Sequence, residues 1–157
     1  MLTGIGYDVH RLKRDEELVL GGVKIDYELG LLGHSDADVL LHALADAILG
    51  AIGEGDIGRH FPDDDSQYKG VSSLKLLDEV YNLVLDKELS INNIDSVIIA
   101  QKPKLASYIV RMEENIAKAL GLDVKRVNIK ATTTEKLGFI GSGDGIVAQT
   151  VVSIEEV

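Results

Sequence analysis

Apolar residues recur at two different periods along this chain, and the switches between them outline its elements. Residues 2–9 and 18–25 have the character of strands, with Gly21-Gly22 marking a bend or bulge in the second and the polar run 11–17 joining the two. After Gly30–Gly33, Val39, Leu40, Leu44, Ala47, Ile48 and Ala51 fall at helical spacing. Ser35 stands three residues ahead of Asp38, so a helix over 36–50 with Ser35 as its N-cap is expected. Leu74, Leu77, Val80, Tyr81, Val84 and Leu85 recur at steps of three and four, which predicts an amphipathic helix over 72–88. Val97-Ile98-Ile99-Ala100 reads as a short buried strand stopped by Pro103. A further helix over 105–120 should end at Gly121, ahead of strands over 126–132 and 145–154.

Between the first two helices, residues 53–70 hold no steady period. A loop this long inside a compact domain is usually functional or mobile, which makes it a candidate lid or substrate loop. Helices lie between strands, yet hairpin-like connections also occur. The pattern is therefore α+β or mixed α/β rather than a strictly alternating parallel sheet, and the expected class is α+β, a mixed β-sheet covered by helices in a single domain over residues 1–157.

Composition narrows the function. With 45% hydrophobic residues the chain can bury one real core, and no internal repeat or composition shift marks a second domain. No stretch approaches the roughly 20 apolar residues of a membrane span, and the first residues lack the basic and apolar regions of a signal peptide. A soluble, cytoplasmic protein is expected. The absence of cysteine leaves imidazole and carboxylate as the only strong ligands for a transition metal. A net charge of -10 without a basic, aromatic-studded stripe argues against nucleic acid as a partner. An anionic ligand would need divalent cations, a few placed lysines or backbone amides to reverse the field locally.

The four histidines all fall within the first 60 residues. If the first strand continues to His10, period-two alternation puts Asp8 and His10 on one face, a two-ligand arm to which a helical His42 can add a third donor. Two histidines, one carboxylate and an open position suit catalytic zinc. Asp38 and Asp46, at i−4 and i+4 from His42, could be ligands or orienters, while a plain helix N-terminal acid is the simpler reading of Asp38. His34, next to the expected cap, could face an anion or be an ordinary loop histidine. His60 has no partner spacing and is read as solvated. Gly53-Glu54-Gly55-Asp56-Ile57-Gly58 matches G-x-G-x-x-G but follows a helix and precedes a polar loop, the wrong context for dinucleotide binding. Asp56, Asp63, Asp64 and Asp65 could accept from a polyol, hold magnesium, or simply form turns. Lys130–Lys136 follows a strand and brings hydroxyls, turn amides, a carboxylate and two lysines, a set suited to phosphate with its divalent ion.

Taken in order, Asp8-Val9-His10, His34-Ser35-Asp36-x-Asp38, His42, Asp56-Ile57-Gly58, Phe61-Pro62-Asp63 and the string Ala131–Phe139 closely resemble the 2-C-methyl-D-erythritol 2,4-cyclodiphosphate synthases over essentially the whole chain. The resemblance implies an enzyme of the non-mevalonate isoprenoid pathway, a lyase in isoprene biosynthesis that assembles as a homotrimer with active sites between subunits. Its substrate would be 4-diphosphocytidyl-2-C-methyl-D-erythritol 2-phosphate, whose 2-phosphate attacks the β-phosphorus and expels CMP. By resemblance Asp8, His10 and His42 bind zinc, and His34 and Thr133 stabilise the transition state. Glu135 helps to hold magnesium or manganese on the diphosphate. Ser35, Asp56, Ile57, Gly58, Phe61, Pro62, Asp63, Asp64 and Asp65 match the methylerythritol phosphate end of the substrate site. The cytidine diphosphate pocket is matched by Ala100, Gln101, Lys102, Pro103, Lys104, Leu105, Ala106, Thr132, Thr133, Thr134 and Glu135. Phe139 and its neighbours would face a central trimer cavity. Members often carry arginine where this chain has Ser142 and glutamate where it has Asp144, so isoprenoid-diphosphate binding in that cavity is expected to be weak or absent, with Ser142 still bordering channel or substrate.

Two other readings fit the metal ligands alone. A zinc phosphoesterase would release a linear diphosphate, and a non-catalytic trimeric metabolite-binding protein would bind a cytidine ligand without releasing CMP.

Overall fold

A computed structural model describes residues 1–157. Its frame is a five-stranded mixed sheet of order β4-β1-β7-β5-β6, made of β1 (Leu2–Arg14), β4 (Leu29–Leu31), β5 (Leu89–Ile99), β6 (Val127–Thr132) and β7 (Gly145–Glu156). β7 runs antiparallel to both β1 and β5, β5 is parallel to β6, and β4 is antiparallel to β1. Helices α1 (Val39–Ala51), α3 (Ser73–Asp86) and α4 (Ile109–Ala119) complete the α+β architecture, with short helical turns α2 (Ile57–His60) and α5 (Gly138–Gly141). No helix is long and apolar enough to cross a membrane.

Helix α1 is buried nearly all round, because it lies between the sheet and α3. Its seat on β1 depends on glycine. The even-numbered residues of β1 face the helix, and a Cβ built on Gly4 or Gly6 would stand 1.9 Å from the Ala47 carbonyl oxygen or 1.8 Å from that of Ala43. Bare backbone on the strand and alanines on the helix thus bring the two elements into direct backbone contact. Asp8 and His10 continue the same face, so the close seat also sets their distance from α1. On the opposite face of the sheet Ile5, Tyr7, Val9 and Val151 remain exposed.

Several elements differ from the sequence-based expectation. β1 continues through Arg14, so 11–14 is strand rather than connection. Residues 18–25 form not one bent strand but a hairpin of β2 (Leu18–Leu20) and β3 (Val23–Ile25), because Gly21 and Gly22 both take positive φ (57° and 72°), the geometry of a tight two-residue turn. β5 begins at Leu89, eight residues before the expected 97–100 segment. Its polar positions Asn92, Asn93 and Asp95 hide the strand pattern, and buried Ser96 is satisfied by Thr150 on β7 at 2.8 Å. Helix α1 starts at Val39 with Asp38, not Ser35, as its N-cap: the Asp38 carboxylate accepts from the Leu41 N–H at 3.1 Å. The predicted stop at Gly121 is present, with φ of 59° and a Leu122 N–H to Ala117 carbonyl bond of 2.9 Å closing α4. The 53–70 segment contains α2 and a 3-10 turn over Ser66–Tyr68.

Candidate metal and substrate site

Asp8 and His10 project from β1 towards His42 on α1, and their donor atoms converge. Asp8 Oδ2 lies 2.9 Å from His10 Nε2 and 3.1 Å from His42 Nδ1, and the two nitrogens are 3.2 Å apart. Ligand atoms held about 2.0–2.1 Å from a tetrahedral zinc stand roughly 3.3 Å from one another, so these spacings fit a shared ion. The three side chains are 25%, 19% and 12% exposed, enough to leave one side of the cluster open.

The hydrogen-bond network fixes which nitrogens face inward. A carbonyl only accepts, so His10 Nδ1, 2.9 Å from the Leu32 oxygen, carries a proton, and in the neutral ring Nε2 presents a lone pair. His42 Nε2 lies 3.0 Å from both Ser35 Oγ and Ser73 Oγ, on the side away from Asp8. His10 Nε2 and the Asp8 carboxylate thus face each other as acceptors, an arrangement that a cation or a proton must bridge. Burial raises the Asp8 pKa, but the hydrogen bonds and charges of His10 and His42 outweigh it and hold the carboxyl at about 2. Burial disfavours protonation of His10, yet the Asp8 carboxylate overrides it and raises the imidazole pKa.

Around this cluster lies a cavity of about 380 Å³ lined also by Gly33, His34, Ser35, Ile57, Gly58, Phe61, Asp63, Tyr68 and Leu76. The sequence reading placed His34, Ser35, Ile57, Gly58, Phe61 and Asp63 here, and the fold brings them together. Asp56 and Asp65 sit nearby as caps instead, accepting from the N–H groups of Arg59 and Gln67 at 2.9 and 3.1 Å. Pro62 and Asp64 are not among the lining residues. Gly33, Tyr68 and Leu76 went unnoticed because they carry no metal-ligand or charge pattern. Tyr68 packs edge-on against Phe61 with ring centres 5.3 Å apart, and only an apolar-aromatic spacing across an irregular loop could have signalled it.

Asp38 follows the simpler of its readings, a helix N-terminal acid: fully buried, it caps α1 and accepts from the Gly21 and Gly22 N–H groups at 3.0 and 2.8 Å, pinning the hairpin to the helix. Burial pushes its pKa up to about 6 against those donors. Asp46 accepts from the Ile57 N–H at 2.8 Å, anchoring α2. One expectation is corrected: His60 is half-buried rather than simply solvated; its ring nitrogen donates to the Glu54 carbonyl at 2.7 Å and the ring leans on Phe61, outside the cavity.

The second set of predicted residues gathers elsewhere. Ala100, Gln101, Pro103, Lys104, Leu105, Ala106, Thr132 and Thr133, with Ala131, line a separate hollow of about 220 Å³ that shares no residue with the first. Lys102 precedes a cis peptide to Pro103 in its rim. The turn after β6 is held by its own groups: Thr133 Oγ1 accepts from the Glu135 N–H at 3.1 Å, Thr134 Oγ1 donates to the Leu137 carbonyl at 2.7 Å, and Gln101 Oε1 accepts from the Lys136 N–H at 3.0 Å. Glu135 and Lys136 take positive φ of 53° and 66°. Phe139 and Ser142 line neither hollow, and the Ser142 hydroxyl is engaged by Asp144 at 2.9 Å and by the Phe139 carbonyl at 3.1 Å.

Comparison with known proteins accounts for the whole chain. A model of the YgbB family matches residues 1–155. The 2-C-methyl-D-erythritol 2,4-cyclodiphosphate synthase of Geotalea uraniireducens is 63% identical over 155 residues, 99% of each chain. Among solved structures, the bifunctional IspDF of Campylobacter jejuni superposes with a TM-score of 0.96 at 46% identity; the match covers 99% of this chain, which spans 42% of that longer protein. IspF of Plasmodium falciparum in complex with CDP superposes with a TM-score of 0.85 at 36% identity, over 98% of this chain and 94% of that one.

Proposed function

The chain belongs to the YgbB family, and we propose that residues 1–157 act as one cyclodiphosphate synthase domain of the non-mevalonate pathway. The reaction converts 4-diphosphocytidyl-2-C-methyl-D-erythritol 2-phosphate to 2-C-methyl-D-erythritol 2,4-cyclodiphosphate and CMP. The observation that carries this reading is the convergence of Asp8, His10 and His42 at the head of a cavity flanked by His34, Ser35 and Asp63, in a chain whose relatives at 60% identity and above are named for this activity.

Asp8, His10 and His42 would hold zinc, and Glu135 magnesium or manganese on the diphosphate. When bound, these ions supply Lewis-acid polarisation of phosphate oxygens and charge neutralisation. The protein's own groups do the rest. His34 and Ser35 line the cavity beside the ligand cluster, placed to donate hydrogen bonds to phosphate oxygens as charge gathers there. Asp63 is placed to accept from the erythritol hydroxyls, and Ile57, Gly58 and Phe61 exclude water from that end. Thr133 donates to the diphosphate, while the 100–106 and 132–135 backbone receives the cytidine. The 2-phosphate and the β-phosphorus belong to one substrate molecule, so the attack is intramolecular, and holding that molecule with the two groups in line supplies much of the rate.

One chain carries these two groups of residues in two separate hollows. A homotrimer in which the loop half of one subunit meets the ligand half of its neighbour would complete the site, and the exposed apolar face of Ile5, Tyr7, Val9 and Val151 offers the surface to be buried. In the central cavity of that trimer, Ser142 brings no cation, and its hydroxyl is already committed within the chain. Isoprenoid diphosphates should bind there weakly or not at all.

The test is a CMP-release assay with product phosphorus NMR, with and without a chelator. The expected outcome is cyclic diphosphate plus CMP, abolished by chelation and restored by zinc with magnesium. Linear diphosphate would indicate a phosphoesterase, and bound cytidine ligand without CMP release a binding protein.

A further inference from the structure

We propose that Ser73, held by Asp36, is a positioning residue that fixes the tautomer and orientation of His42, leaving Ser35 free to face the substrate. The inference rests on the reading of Asp8, His10 and His42 as zinc ligands.

Ser73 is the first residue of α3 and is 1% exposed. Its Oγ donates to Asp36 Oδ1 in a short hydrogen bond and lies 3.0 Å from His42 Nε2. A hydroxyl has one proton and two lone pairs, and the Asp36 carboxylate takes the proton, since a carboxylate only accepts. What remains for His42 is a lone pair. Nε2 must then carry the ring's proton, and Nδ1 presents its lone pair 3.1 Å from Asp8 Oδ2, where a metal would sit. Asp36 is itself fixed: Oδ2 accepts from the Ser73 N–H at 3.0 Å, Oδ1 accepts from the Asp38 N–H at 3.1 Å, and the Asp36 N–H donates to the Val71 carbonyl at 3.2 Å. The same carboxylate receives the free N–H at the start of α3, which has no side-chain cap of its own.

Ser35 also approaches His42 Nε2 at 3.0 Å but differs in one respect. Its Oγ accepts from the Ala37 N–H at 3.3 Å and has no carboxylate to claim its proton. With Nε2–H satisfied by Ser73, the Ser35 proton is available to a phosphate oxygen in the cavity it lines. Two serines on one nitrogen thus divide the work: Ser73 orients the ligand and Ser35 addresses the substrate.

The experiment measures zinc affinity by chelator competition, the visible spectrum of the cobalt-substituted protein and the thermal unfolding of the metal-free protein, for wild type, Ser73→Ala, Asp36→Asn and Ser35→Ala. Ser73→Ala should weaken zinc about tenfold, the lower range for loss of an outer-shell partner, and alter the cobalt spectrum. The unfolding of its metal-free form should hardly change, because the Ser73 backbone N–H still reaches Asp36. Asp36→Asn should weaken zinc in the same direction. Ser35→Ala should change zinc affinity less than about threefold, because Ser73 still accepts from Nε2. Equal zinc affinity in all four proteins, or a larger loss in Ser35→Ala than in Ser73→Ala, would overturn the proposal while leaving the zinc site intact. Wild-type protein that takes up no zinc would overturn both this inference and the reading it rests on.

Discussion

The two hollows that the proposed site would join, a ligand half and a loop half, are built in opposite ways. The ligand half stands on a strand and a helix in backbone contact, its imidazoles contact the Leu32 carbonyl and the Ser35 and Ser73 hydroxyls, and its donor atoms converge within a single chain. The loop half is an exposed turn whose threonines bond to its own backbone and whose Glu135 and Lys136 sit at positive φ. Rigid elements place metal donors to within tenths of an ångström. The proposed cytidine pocket would instead rely on the shape of a loop, and such a loop needs something to close against.

Removing a donor should give the largest effect. His42→Ala should lower zinc occupancy and cut CMP release by about 10³-fold or more, since metal polarisation is worth several kcal/mol, while the metal-free fold stays intact. Metal analysis together with circular dichroism checks this, and global unfolding or unchanged zinc content would break the contrast. Thr133→Ala, in the other half, should lower the rate about 10²-fold, as expected for one lost donor to a developing charge, and leave zinc binding and stability unaltered. Gly6→Ala should act through the scaffold. Its Cβ would meet the Ala43 carbonyl oxygen at 1.8 Å, so α1 must lift, costing about 2–3 kcal/mol of stability and weakening zinc as His42 moves from Asp8. Denaturant unfolding and zinc titration check both effects together.

The smallest effect is one of pH. Asp8, lowered to about 2, contributes stability that is present above its unfolded pKa and lost as pH falls towards 2. His10, raised by its carboxylate neighbour, contributes stability that is complete below its unfolded pKa near 6.5 and lost as pH rises through the folded value. In the metal-free protein the pair therefore stabilises most between about pH 4 and 6.5. Zinc must displace the His10 proton, so the rise in melting temperature on adding zinc should grow from pH 5.5 to pH 8. A zinc-induced shift that is flat or falling over that range would show that His10 is not a ligand.

The two halves also differ in how far the sequence reveals them. Asp8-Val9-His10 shares a face because strands alternate, and His42 sits on a helix by its spacing, so periodicity offers the ligand half as a candidate that becomes specific only through the resemblance. The exact helix start is not, because Ser35 and Asp38 are both good caps and the hairpin amides of Gly21 and Gly22 decide for Asp38. The partners of His42 escape notice for a similar reason. Ser73 lies 31 residues away at the head of another helix, and no local spacing links it to His42. The loop half shows itself only as the string Ala131–Phe139, recognisable by resemblance, since its geometry comes from turn bonds and positive φ. The early residues of β5 do not read as strand because adjacent Asn92-Asn93, at a register shift, and Asp95 break the alternation of a strand whose pairing is decided by β7.

The measurement that bears most directly on the split site is complementation. His42→Ala and Thr133→Ala chains, each nearly inactive alone, are unfolded, mixed in equal amounts and refolded with zinc and magnesium. If each site joins the ligand half of one subunit to the loop half of the next, random assembly leaves about a quarter of the sites with both halves intact, and CMP release should recover to about that fraction of wild type. A mixture no more active than the separate variants would contradict the account, because the two halves would then have to work within the same chain.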